Sequence, residues 1–350
     1  APDTLESQIE DIRRVVSGTL DEVHALAWQL RPSVLDDLGL VVALVLSGCG
    51  LVSLGYPRLP DLGLVWMQRQ VDLRPEQAEQ WRQDLHGVLV WHRGTQLTTA
   101  ADLLARWQTL AITDLSASDI CREADAVRRL VDATTPQLLP AMVRLAGSLD
   151  AEQRAALAVS QQERLAEFRQ QHMGESTPKA AWWPRAQAAT PLAPPTAPSA
   201  AMPPPDASLP MAMRSASLNK RLEQAVDRYE MLYGRLSPAQ VQALKASLEQ
   251  SSFDARQLLA ERERRSQDLL QALADTAKAP AGAESQPLAG WLARLNTSPT
   301  PGYAAYGRLL QQEGCAQMAT LHRLATPSQR QAAASTLAGY ETDLRRLARP

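Results

Sequence analysis

Helix-start signals recur along this chain and constrain its fold more than any other feature. In two of them a hydroxyl side chain precedes a proline, and a glutamine follows two residues later. The hydroxyl can accept a hydrogen bond from the third amide of a helix, and the glutamine can accept one from the cap amide. These two signals are Ser237-Pro238-Ala239-Gln240 and Thr326-Pro327-Ser328-Gln329, with variants at Arg74-Pro75, Ser116 to Asp119, Thr135-Pro136 and Asp150 to Gln153. They predict an all-α protein with related helical hairpins, although no fixed-period repeat is visible.

The composition favours helices and excludes two classes of protein. Ala, Leu, Gln, Arg and Glu dominate, and runs of β-branched residues are rare. The formal net charge is -2 and the pI is about 6.3, without the basic face or tail of a nucleic-acid-binding protein. No apolar run reaches the roughly 18 residues that a membrane-spanning helix needs. We therefore expect neither a nucleic-acid partner nor a transmembrane helix.

Changes in composition divide the chain into regions. Ten of its 24 prolines fall in residues 174–215 among Ala, Ser and Thr, which predicts a disordered or extended linker. A helical domain is expected at 55–173, and a second helical region at 216–348 is expected to pack on it. Residues 261–265 alternate in charge, and we interpret them as the solvated face of a long helix.

The first 43 residues carry a separate signal. Residues 4–31 repeat apolar side chains every three or four positions, which predicts one long amphipathic helix suited to pairing in a homodimer through 4–30. With Leu30-Arg31-Pro32-Ser33-Val34-Leu35-Asp36-Asp37-Leu38-Gly39-Leu40, this stretch resembles the second dimerisation helix of nitrate-sensor-type histidine kinases. Those kinases carry a phosphoacceptor helix and an ATP-binding domain, which this sequence lacks. Kinase activity is therefore not expected.

Residues 38–49 form an apolar segment that ends in Leu46-Ser47-Gly48-Cys49, the order of a lipobox. From about residue 45 to 347 the chain resembles an uncharacterised family of helical bacterial lipoproteins. The matching stretches are 55–60, 91–93, 95–97, 229–236, 253–254, 261–265, 290–291, Tyr303, Tyr306 and 339–341. The resemblance implies lipidation at Cys49 and a membrane anchor on the periplasmic face of the outer membrane. Without lipidation the chain would be cytoplasmic.

Two acidic residues precede the apolar segment, where a signal peptide carries Lys or Arg. They are Asp36 and Asp37. We interpret this arrangement as a join of two unrelated coding segments near residues 40–45. The favoured function is a cell-envelope lipoprotein with a structural or binding role and an unknown protein partner. The alternative is a sensor histidine kinase fragment fused to an unrelated helical protein.

The remaining chemistry-bearing residues give few site predictions. Cys121 and Cys315 could pair in an oxidising compartment or remain two separate buried thiols, and the sequence leaves both open. His86 and His92 are six positions apart, share no helix face, and have no carboxylate at ligand spacing. Nucleophile elbows, P-loops, dinucleotide fingerprints and zincin motifs are absent. We expect no catalytic residue, cofactor or metal, and an enzyme could arise only from an unfamiliar helical site.

Overall fold

Helices account for nearly all of the computed structural model, which describes residues 55–173 and 211–349, with side chains from 217 in the second range. No strand occurs in those ranges, so the predicted all-α class is confirmed there. No described helix is both long enough and apolar enough to cross a bilayer. The first half contains α1 (Leu59–Gln70), α2 (Pro75–Thr95), α3 (Leu97–Ala111), α4 (Ala117–Thr134), α5 (Leu139–Ser148) and α6 (Ala151–Met173). The second half contains α7 (Met211–Tyr233), α8 (Pro238–Glu249), α9 (Ala255–Thr276), α10 (Ser285–Asn296), α11 (Tyr303–Leu324) and α12 (Pro327–Ala348).

Five of the six start signals coincide with the start of a described helix, at Pro75, Ala117, Ala151, Pro238 and Pro327. The Ser237 hydroxyl accepts from the Gln240 amide at 3.3 Å, and the Thr326 hydroxyl accepts from the Gln329 amide at 3.2 Å. The carboxylate of Asp150 accepts from the Gln153 amide at 2.9 Å. Each contact satisfies an amide that the first turn of a helix leaves without a partner.

Two boundary predictions are wrong. Thr135 does not cap a helix, because its backbone is already helical and its hydroxyl donates to the Val131 carbonyl at 2.9 Å. A 3-10 turn at Thr135–Leu138 instead links α4 to α5. The predicted linker extends to 215, but α7 begins at Met211, directly after Pro210, because Met and Ala there favour helix. The rest of the linker and the helix predicted at 4–31 lie outside the described residues.

One pair of glutamines joins two helix starts inside each half. In the first glutamine pair, the Gln77 and Gln153 side-chain amides donate to each other's oxygens, at 3.1 and 2.7 Å. In the second glutamine pair, Gln240 and Gln329 do the same, at 2.9 and 3.2 Å. The partners are 76 residues apart in the first pair and 89 in the second. This unequal spacing is why no fixed-period repeat is visible in the sequence.

The surroundings of the two glutamine pairs match position by position. Gln77 also donates to the Ser148 carbonyl at the end of α5, as Gln240 donates to the Leu324 carbonyl at the end of α11. Gln153 donates to the Asp72 carbonyl, and Gln329 donates to the Arg235 carbonyl. The two halves are therefore equivalent six-helix units, and α1 to α6 correspond in order to α7 to α12.

Packing between the halves is reciprocal. The third helix of each half packs on the sixth helix of the other, as α3 on α12 and α9 on α6. The fourth helix of each half packs on the fifth helix of the other, as α4 on α11 and α10 on α5. Each half therefore completes its core with helices from the other, so the two halves form one folding unit.

The buried side chains of the second half form one continuous core. It combines α7, α8, α11 and α12 with α3 from the first half. Its buried members are Leu97, Ala101, Leu104, Tyr229, Tyr233, Leu236, Leu244, Leu248, Leu321, Ala333, Leu337, Tyr340 and Leu344, among others. The first half has two smaller clusters instead, one around Val71 and Leu149 and one around Ala146 and Trp291, and a further cluster around Phe168 and Tyr306 is shared by α6, α9 and α11.

Candidate ligand cavity

An apolar cavity of about 200 Å³ lies between the two core clusters of the first half, and it is partly open to solvent. Protein interiors rarely contain a void much larger than a water molecule, so this space needs an explanation. Most of its wall comes from four helices of the first half (α1, α2, α5, α6) and two of the second (α9, α10), and Thr134 of α4 and Leu138 of the 3-10 turn complete it. Its lining includes Leu59, Trp66, Met67, Trp81, Leu85, Val88, Met142, Leu145, Ala146, Leu157, Leu269, Leu273 and Trp291.

Comparison with the second half explains why this space is empty. Counting from the glutamine pairs, Gln70 is equivalent to Tyr233, and Ala146 is equivalent to His322. Tyr233 and His322 are buried and fill the second-half core, whereas Gln70 and Ala146 line the cavity. Two large ring side chains are thus replaced by a flexible amide and a methyl group.

The sixth helices of the two halves differ in polarity rather than in side-chain volume. On α6, Leu157, Gln161 and Arg164 line the cavity, and they recur at helical spacing on one face. Their equivalents on α12 are Ala333, Leu337 and Tyr340, which belong to the filled core. The first half therefore brings two polar side chains to a surface that is apolar and packed in the second half.

Polar atoms in the cavity wall are few, and one lacks a partner. The Trp291 side chain is 4% exposed and its indole nitrogen is buried, with no hydrogen-bond acceptor among the described residues. The side-chain oxygen of Gln70 accepts from the Ser160 hydroxyl at 2.7 Å. Arg164 carries the wall's one charged group at neutral pH, and no Asp or Glu of the described ranges lines it.

His92 borders the cavity, whereas His86 is exposed on the same helix. The phenol of Tyr56 lies 2.8 Å from His92 Nδ1. Burial lowers the pKa of His92 to about 4, so the imidazole is neutral at neutral pH. Within the described part of the chain, no three His, Cys, Asp or Glu side chains are grouped so that they could hold a metal ion.

The second half contains a matching tyrosine–histidine contact in its filled core. His322 Nε2 lies 2.6 Å from the Thr113 carbonyl, which can only accept, so this nitrogen carries the proton. Nδ1 then accepts from the Tyr233 hydroxyl at 2.8 Å. Burial lowers the pKa of His322, because the charged ring would lose its hydration. No role was predicted for His322 from the sequence, and in the structure it lies at the centre of a buried hydrogen-bond chain.

Cys121 and Cys315 form a disulfide, with their Cα atoms 5.5 Å apart. It joins α4 to α11 across a sequence separation of 194 residues. Of the two alternatives that the sequence leaves open, the structure therefore contains the paired one. The equivalent helix contact, α5 on α10, has no disulfide and adjoins the cavity.

The charged segment 261–265 is not simply a solvated face, so that interpretation is wrong for two of its residues. Glu261 and Arg265 are 1% and 4% exposed. Glu261 accepts from Arg265 Nε at 2.7 Å and from the Thr300 hydroxyl at 2.8 Å. Burial alone would raise the pKa of Glu261, but the hydrogen bonds from Arg264 and Arg265 outweigh it and hold the pKa below its usual value. Because its oxygens accept these hydrogen bonds, Glu261 links α9 to the loop before α11.

The lipidation residue Cys49 and the lipobox residues Leu46, Ser47 and Gly48 lie outside the described residues, as does the whole stretch 1–43. The sequence missed Gln70, Ala146, Arg164 and Trp291, which define the cavity. A signal for two of them was present, because aligning the start signals sets Gln70 against Tyr233 and Ala146 against His322.

Comparisons with known proteins add one relationship. Residues 69–185, about a third of the chain, match a family of unknown function, DUF6279. The match includes α2 to α6 and so most of the first-half wall of the cavity. No curated protein and no solved structure matches the chain.

Proposed function

We propose that this chain is a non-catalytic binding protein of the cell envelope and that the apolar cavity is its ligand site. The observation that carries the proposal is the contrast between the two halves, in which one has a continuous buried core and the other has a cavity at the equivalent place. Ligand sites are typically concave and apolar, with a few convergent polar groups. Gln161 and Arg164 bring polar side chains to the cavity wall.

The proposed location is the periplasmic face of the outer membrane, through a lipid anchor at Cys49. The lipobox Leu46-Ser47-Gly48-Cys49 supports the anchor, and the disulfide between Cys121 and Cys315 supports an oxidising compartment. Several acyl chains on one cysteine would give stable membrane attachment, because a single chain binds only marginally.

A catalytic role is not proposed, because the cavity wall offers no working pair of acid and base. His92 is neutral and bonded to Tyr56, and its pKa of about 4 suits neither proton uptake nor release at neutral pH. Glu261 is fully engaged and lies outside the cavity lining. The protein partner, if the chain has a structural role as well, is not specified by these contacts.

The binding role can be tested with N-phenyl-1-naphthylamine, an uncharged dye whose fluorescence rises in apolar surroundings. The oxidised full chain is expected to bind one dye molecule saturably. Ala146→Phe, which fills the cavity, is expected to weaken binding at least tenfold. Val159→Phe is the matched control, because Val159 is 58% exposed on α6. Absence of saturable binding, or equal binding by Ala146→Phe, would refute the proposal.

The location needs a separate measurement, the intact mass and N-terminal sequence of the protein from membranes of its native host. A chain that begins at an acylated Cys49 supports the lipoprotein. A soluble chain that retains residues 1–40 contradicts it, and would favour the alternative in which residues 4–30 dimerise as in a histidine kinase.

A further inference from the structure

We infer that the ligand of the cavity is an uncharged molecule with a single hydrocarbon chain, of which the cavity encloses about eight carbon atoms. The inference rests on the proposed binding function and adds the chemical class of the ligand. Its supports are the lack of an available charged group among the described residues of the lining, the apolar character of that lining, and the enclosed volume.

The charge of the lining does not favour an ionised ligand. Arg164 is the charged residue of the described lining at neutral pH, and it already has an interaction partner in the protein. An anionic head group would have to displace that partner, and a cationic one would meet no Asp or Glu in the described lining. Burying an ionised group without a partner costs far more free energy than burying an apolar group. An uncharged ligand avoids both costs.

Neutral polar side chains of the lining are engaged as well. The hydroxyl of Thr134 donates to a backbone carbonyl of its own helix at 2.9 Å, and the side-chain oxygen of Gln70 accepts from a serine hydroxyl at 2.7 Å. His92 is hydrogen-bonded to Tyr56, and burial lowers its pKa to about 4, so it stays neutral. The side-chain amide of Gln161 has no charge that could balance an ion. These groups therefore select neither an anion nor a cation.

The enclosed volume sets the length of chain that the cavity can hold. An engineered protein cavity of about 150 Å³ holds one benzene molecule. This cavity measures about 200 Å³, so by proportion it holds about eight carbon atoms. That volume leaves no room for a second chain beside the first. Because the cavity is partly open, a longer chain can continue through the mouth and keep its polar end in water.

The side chains of the lining suit a flexible chain. Leu, Val and Met make up most of it, and they offer dispersion contacts that require no hydrogen bond from the ligand. Met67 on α1 and Met142 on α5 face the same space from different helices. Methionine is unbranched and adapts its shape to what it contacts, so these walls can follow a chain that bends.

The first arm of the test measures how 1-alkanols from butanol to dodecanol displace bound N-phenyl-1-naphthylamine at pH 7.5. The oxidised full chain carries Cys49→Ser, so that no anchor chain can occupy the cavity. Affinity should rise about fourfold with each added carbon up to about octanol, the gain expected from burying one methylene. Beyond octanol it should level off, because further carbons extend into water. A steady rise to dodecanol would overturn the inference, since no space of this size would then enclose the chain.

The second arm compares octanol with two ions of the same chain, octanoate and octylammonium. Octanol should displace the dye at a concentration at least about tenfold lower than either ion, because neither ion finds an available partner in the lining. If octanoate or octylammonium displaces the dye as well as octanol does, the ligand is not restricted to uncharged molecules and the inference fails.

The third arm places the chain in this cavity rather than elsewhere. Ala146→Leu adds about three carbon atoms to the wall and should move the plateau from about octanol to about pentanol. Val159→Leu is the matched control, because Val159 is 58% exposed, and its plateau should stay at about octanol. A folded Ala146→Leu variant with an unchanged plateau would overturn the inference.

The outcomes separate the inference from the proposed function. If the dye binds saturably but the alkanol series has no plateau, or the charged octyl compounds compete equally, the inference fails and the binding function stands. If the dye itself does not bind saturably, the proposed function fails. The first two arms use the unaltered cavity, so they remain decisive even if Ala146→Leu does not fold.

Discussion

The two halves of the molecule share one architecture and differ in what fills it. Each half closes its helix starts with a glutamine pair, Gln77 with Gln153 and Gln240 with Gln329. Each half also takes helices from the other into its core. Yet the second half has a continuous core, and the first half has a cavity of about 200 Å³ at the equivalent place.

This difference shows that the cavity is not imposed by the architecture. Both halves have a glutamine pair and the reciprocal packing, although only the first half has the cavity described above. A few side chains decide the outcome, chiefly Gln70 and Ala146 in place of Tyr233 and His322. Substitutions at these positions should therefore have different effects in the two halves. They test directly whether the positions are equivalent.

The largest effect is expected from Tyr233→Ala. It should lower the free energy of unfolding by about 3–5 kcal/mol, because it opens a cavity in a filled core and leaves His322 without its hydroxyl partner. The equivalent change Gln70→Ala should cost only about 1 kcal/mol, because it removes a single hydrogen bond at a wall that is already open. Urea denaturation of both variants measures the contrast. Equal losses would show that the two positions are not equivalent.

The disulfide should matter next. Replacing Cys121 and Cys315 by alanine is expected to lower the free energy of unfolding by about 2–4 kcal/mol, because the cross-link restricts a long loop of the unfolded chain. Dye binding should be unchanged, since neither cysteine lines the cavity. Denaturation with and without reductant checks the first expectation for the native chain. If a variant that is still fully folded loses dye binding, then the contact between α4 and α11, which the disulfide joins, is coupled to the contact between α5 and α10 beside the cavity.

Substitutions that add side-chain volume should change the free energy of unfolding in opposite directions in the two halves. Ala146→Leu is expected to raise the free energy of unfolding by about 1 kcal/mol, because it adds apolar contacts inside an existing cavity. Ala333→Leu, in the filled core, should lower it by about 1–3 kcal/mol through overpacking. Thermal unfolding of both variants reports the sign. Destabilisation by Ala146→Leu would mean that the cavity closes in solution.

The fold class and several helix boundaries could be predicted from the sequence, but the cavity could not. Helix starts such as Pro75, Pro238 and Pro327 are predictable because capping involves residues within one turn. The glutamine pairs are not, because each joins residues 76 or 89 positions apart. A cavity is harder still, since it is a missing volume between six helices. The burial of Glu261 escaped prediction for a related reason, because its partner Thr300 lies in a different element.

A pH dependence is also expected. The pKa of His92 is about 4 in the folded chain and about 6.5 in an unfolded one, so the unfolded chain binds more protons between these values. The free energy of unfolding should therefore fall as the pH drops from about 6.5 toward 4. His92→Gln should flatten part of this slope. His172 and His322, whose pKa values are also lowered by burial, should maintain the rest.

Crystals of the full chain under pressurised xenon would test the difference between the halves most directly, because xenon occupies apolar cavities large enough to hold it. A hollow first half and a filled second half predict xenon beside Ala146 and Trp291 and none beside Tyr233 and His322. Xenon at both places, or at neither, would contradict the account.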